Sequence, residues 1–149
     1  MKAILFVAAL ALAAACGKHN DAAILQQEAI TLAKHYQAKP DKPSQLDLLD
    51  QRVQAIFARG NKIPGNLPGI EEVGKRLQEA RDTIVKLNGI VGKGPDGKSA
   101  LEKQAEAAAK EGKVADLQKL VHDSEEELER GLTIINDDLD AVEAWLANY

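Results

Sequence analysis

The chain has 149 residues, enough for one domain of ordinary size. Aromatic residues make up 3% and charged residues 28%, so any core must be built from Leu, Ile, Val and Ala, a composition that favours helix. The net charge of −4 is unevenly placed: from Val114 onward there are ten acids against two bases, Lys119 and Arg130. No stretch is basic enough to argue for nucleic acid as a partner, and the acidic end would repel phosphates.

The chain opens MKAILFVAALALAAA, with one early base, Lys2, and an unbroken apolar run of twelve residues from Ile4 to Ala15. A bilayer-spanning helix needs about 20 apolar residues. A short run ending in small residues is instead the pattern of a secretory leader, so residues 1–15 are expected to be a signal peptide.

The only cysteine, Cys16, follows at once in Leu12-Ala13-Ala14-Ala15-Cys16-Gly17. This segment resembles the lipobox of bacterial lipoproteins, although Ala13 stands where that family usually has Leu. The resemblance implies cleavage before Cys16, diacylglycerol on its thiol, and attachment to the membrane through two or three acyl chains, since one chain binds only marginally. Gly17 rather than Asp after the cysteine implies, by the same resemblance, the outer membrane, facing the periplasm. On the residues alone, an ordinary leader cut after Ala15 that leaves Cys16 as a free thiol is the alternative. Residues 16–20 are read as a short tether, and residues 21–149 as the domain. Four extended residues reach at most about 14 Å, which keeps the domain close to the lipid.

The first helix is expected from about Asp21 to Ala38, on the 3-4 stripe Ala22, Leu25, Ala29, Leu32 and Tyr36. Pro40 and Pro43 end it. A second helix over Ser44–Arg59 carries Leu46, Leu49, Val53 and Ile56, and Gly60 suits its stop. Two prolines and two glycines make Asn61–Gly69 an irregular loop. A third helix follows the stripe Ile70, Val73, Leu77, Ala80, Ile84, Leu87 and Val91.

Ser99 and Glu102 match a capping box that opens an alanine-rich fourth helix. From Val114 a long stripe runs through Leu117, Val121, Ser124, Leu128, Leu132, Ile135, Leu139, Val142 and Leu146. Gly112 reads as a hairpin corner or a weak spot. Gly131 is a place where the last helix could kink or divide. The fold expected is all-α: an antiparallel bundle of four to five amphipathic helices joined by short loops. The Glu111-Gly112-Lys113-Val114 corner resembles the hairpin of periplasmic four-helix b-type cytochromes, but the only methionine is Met1, so the resemblance implies no haem site.

Candidate chemistry is sparse. His19, His35 and His122 read as solvated or half-buried, none as part of an i, i+4 zinc pair. Ser44 and Ser99 read as helix caps, and no phosphate-binding glycine loop occurs. No catalytic set, cofactor or metal site is assigned.

The acids form two clusters, Asp123, Glu125, Glu126, Glu127 and Glu129, then Asp137, Asp138, Asp140 and Glu143. Asp123 and Glu127 are i, i+4 neighbours, and Asp140 and Glu143 are i, i+3. Both clusters read as a solvated face able to receive a basic partner rather than as a calcium loop. Trp145 and Tyr149 are expected to close the end of the bundle or to offer a small sticky patch.

Three functions follow as expectations. The first is a non-enzymatic interaction or scaffold lipoprotein, held to the membrane by its lipid and bound to an envelope protein partner. The second is an inhibitor or immunity protein against a basic toxin or hydrolase. The third is a helical bundle that holds a small ligand or a metal.

Overall fold

The computed structural model describes residues 18–149; the expected leader, Cys16 and Gly17 lie outside them. Five helices follow in order: α1 Lys18–His35, α2 Gln45–Gly60, α3 Ile70–Val91, α4 Ala100–Lys110 and α5 Val114–Leu146. No strand occurs among the described residues, and the all-α helical bundle expected from the periodicity is the fold.

The organising element is α5. Its 33 residues make a rod about 50 Å long, and each of the other four helices packs on it. Antiparallel to its C-terminal part lies α3. Arg76 meets Asp138 at 3.2 Å, Lys86 meets Glu127, and Trp145 Nε1 donates to the Pro68 carbonyl just before α3 at 2.9 Å. Beside the same stretch, α2 runs parallel to α5: Arg52 reaches Asp140, and two turns on Arg59 donates to the Leu146 carbonyl at 2.8 Å.

The N-terminal part of α5 is covered by α1 and α4. The end of α1 meets the end of α3 and the start of α4, where Gln37 Nε2 donates to the Val91 carbonyl at 2.8 Å and to Glu102 Oε2 at 3.3 Å. So α1 and α2 follow one another along one flank of α5. The result is two three-helix packets stacked end to end, α1–α4–α5 and α2–α3–α5, with α5 common to both.

Local chemistry fixes the boundaries. Reciprocal capping boxes open α2 at Ser44 with Asp47 and α4 at Ser99 with Glu102. Gly112 sits at φ +66, a left-handed value that favours glycine, and turns α4 sharply into α5. Two ends of α1 differ from expectation. It starts at Lys18 rather than Asp21, so Lys18, His19 and Asn20 belong to the helix and not to a tether. It stops at His35 rather than Ala38 because the chain tightens there: Tyr36 and Gln37 donate to the Ala33 and Lys34 carbonyls at 3.1 and 3.2 Å. Lys39 and Lys42 then pair across Pro40-Asp41.

Gly131 does not divide α5, which is continuous from Val114 to Leu146. It is buried, and a β-carbon built on it would lie 2.8 Å from both methyl groups of Leu87. Glycine at this position lets α3 approach closely. Gly131 and Asp138 join Ile135 and Val142 of the expected stripe in a buried row at 4-3-4 spacing, which widens the stripe towards α3. The core is aliphatic, with Leu46, Leu87, Leu101, Leu117, Leu128, Ile135 and Leu139 fully enclosed.

Candidate functional surface on the last helix

Every acid of the two clusters lies on α5, and the fold sorts them by what they face. On the flank towards α3, Glu127 is half-buried and paired with Lys86, whose ammonium holds the Glu127 carboxyl below the usual range. Asp138 is only 5% exposed, which removes it from the expected partner surface. It faces α3 because it shares the row of Gly131 and Ile135. Its Oδ1 accepts from Arg76 Nη1 at 3.2 Å, while its Oδ2 is buried without a hydrogen-bond partner among the described residues. Burial, then the nearby Glu79, pushes the Asp138 carboxyl up against the opposing pull of Arg76.

On the flank towards α2, Asp140 and Glu143 do form a pair, and Arg52 occupies it. The guanidinium donates to both Glu143 oxygens at 3.1 and 3.0 Å and to Asp140 Oδ1 at 3.0 Å. The Glu143 bonds raise the Arg52 pKa, against the effect of burial, and Asp140 adds to the rise. The pair is thus already partly neutralised by a guanidinium from α2.

The i, i+4 pair Asp123 and Glu127 does not come together as a site. Asp123 turns back to Lys119 at 3.1 Å while Glu127 goes to Lys86. Sequence reasoning overlooked a different pairing on the same turn. His122 Nε2 lies 3.8 Å from Glu126 Oε2, and the donor atoms of His122, Asp123 and Glu126 all lie within 4.8 Å of one another. The i, i+4 spacing of His122 and Glu126 carried that signal. All three side chains are exposed.

Glu125, Glu126, Glu129 and Asp137 remain on the solvent side of α5, and no lysine or arginine bridges them among the described residues. Glu125 and Glu129 lie beside the end of α1. There burial first, then the charges of Glu129 and Glu125, raises the Tyr36 phenol.

Trp145 is half-buried and fixed by its bond to Pro68, and its ring lies 4.9 Å from that of Tyr149, which is 56% exposed. Trp145 closes the α2–α3–α5 end, and Tyr149 extends that aromatic pair into solvent. Two surface depressions, one on the outer face of α3 around Glu79 and Lys86 and one at the loop before α3, are lined mostly by charged and polar residues. No helix among the described residues is long and apolar enough to cross a membrane. Cys16 lies outside the described residues. Comparison with protein-family models, curated proteins and solved structures found no match to this chain.

Proposed function

We propose that the protein is a lipid-anchored component of the bacterial cell envelope, facing the periplasm from the outer membrane, whose helical bundle acts as a non-enzymatic interaction or scaffold module. The observation that carries the reading is the run Leu12-Ala13-Ala14-Ala15-Cys16-Gly17, which leads within two residues into α1. An acyl chain on Cys16 would therefore be joined to the rigid bundle with almost no slack.

The surface offered to a partner is narrower than the acidic clusters suggest. Asp138 is enclosed, and Glu127, Asp140 and Glu143 are held by Lys86 and Arg52. Glu125, Glu126, Glu129 and Asp137 form the remaining ridge, suited to a basic protein surface.

The test is intact mass of the protein extracted from membranes, combined with crosslinking before extraction. The expected result is a mass beginning at Cys16 with two or three acyl chains and one specific crosslinked envelope protein. That crosslink should weaken when Glu125, Glu126 and Glu129 become Gln. An unmodified protein in the soluble fraction would overturn the reading.

A further inference from the structure

The two ends of the bundle differ, and the chain preceding the described residues enters at only one of them. The last residues of α1 sit at the start of α4, because Gln37 bonds Glu102. Since α1 lies along α4, its first residues lie at the other end of α4, beside the Gly112 corner. Burial agrees: α1 is enclosed as far down as Ala22, which is 4% exposed, so α4 and α5 cover it almost to its start. Lys18 therefore lies about a turn beyond the corner. The opposite end, with Trp145, Tyr149 and the loop before α3, is about 50 Å away along α5.

Cys16 precedes Lys18 by two residues, a reach of at most about 7 Å. Resting on the lipid anchor proposed above, we infer that the bundle stands end-on at the bilayer, with the α4–α5 corner against the lipid head groups and the Trp145–Tyr149 end presented farthest from the membrane.

Charge separates the postures by degree. At the corner, exposed Lys110 and Lys113 are each matched by an acid of the same short segment, Glu106 and Glu111, with Asp116 beside Lys113. Bases and acids are thus mixed there, and surface pairs of this kind are weak. A bundle lying on its α5 ridge would instead press Glu125, Glu126, Glu129 and Asp137 onto anionic head groups.

The test uses the full lipidated protein in vesicles of phosphatidylethanolamine and phosphatidylglycerol that carry a head-group quencher. A fluorophore is placed on Glu111→Cys or on Ala147→Cys, at the two ends and both at exposed positions. The expected result is several-fold loss of emission at position 111 and unchanged emission at position 147. Equal quenching at both positions, in protein whose intact mass shows the acyl chains, overturns the end-on posture and leaves the anchor standing. A mass without acyl chains removes the anchor and the posture with it.

Discussion

Replacing Gly131 with Ala adds one methyl group where α5 and α3 touch. That methyl would lie 2.8 Å from both Leu87 methyls and 3.0 Å from its Cγ. Leu87 is fully enclosed, so it cannot swing into open space. Two terms oppose each other. Alanine is favoured over glycine inside a helix by about 1 kcal/mol, while overpacking a filled core costs about 1–3 kcal/mol. The net expectation is a destabilisation of up to about 2 kcal/mol.

Gly74→Ala supplies the control, because Gly74 lies inside α3 with nothing within 4 Å of its added β-carbon. It should stabilise by about 1 kcal/mol through the propensity effect alone. Urea unfolding of the two variants beside the parent should therefore move the midpoint in opposite directions. Leu87→Ala in the Gly131→Ala background should cost less than in the parent, since the added methyl would fill part of the cavity. If Gly131→Ala stabilised as much as Gly74→Ala, the close approach of α3 to α5 would be refuted.

Asp138 gives a pH-dependent outcome. Its pKa is raised in the folded state, so the stabilisation from protonating it is fully present below the ordinary carboxyl range. That stabilisation is lost as pH rises through the raised value. Asp138→Asn should accordingly raise the unfolding free energy at pH 7 by about 1 kcal/mol, seen as a higher urea midpoint, with the gain shrinking on acidification; a lower midpoint at pH 7 would refute the burial argument. Arg52→Ala removes the link between α2 and the Asp140–Glu143 pair. With Asp140 72% exposed, the loss should be about 1 kcal/mol and should fall in high salt, as thermal melts at two salt concentrations would read. Ser99→Ala breaks the capping box that opens α4. It should cost about 1 kcal/mol and speed amide exchange in the first turn of that helix before any other.

The aliphatic stripes and capping chemistry made α2 and α3 legible almost to the residue, and gave the start of α4 and the long stripe of α5, because 3-4 spacing and caps are local signals. What the stripes do not carry is which helix lies opposite. Gly112 and Gly131 look alike along the sequence, yet one is a left-handed corner and the other is a contact with Leu87, far away in the chain. Asp138 had a local clue. It falls at stripe spacing between Ile135 and Val142, but an acid at such a position reads as solvent-facing until α3 brings Arg76 to it. The engagement of Asp140 and Glu143 depends in the same way on Arg52 from α2. The early start of α1 was hidden because Lys18, His19 and Asn20 are polar, and a short polar stretch after a leader reads as a linker.

The sharing of α5 by both packets has a consequence for the order in which the chain is made. Synthesis delivers α1, α2, α3 and α4 before the helix on which all four pack. A chain ending at Lys113 contains the partners of α5 but not their common surface, and Leu87, for one, loses the close contact at Gly131. Neither packet can be completed from the first four helices alone. Both wait for α5, and they are served in turn: its N-terminal part completes the α1–α4 packet, while the α2–α3 packet stays open until the last turns arrive.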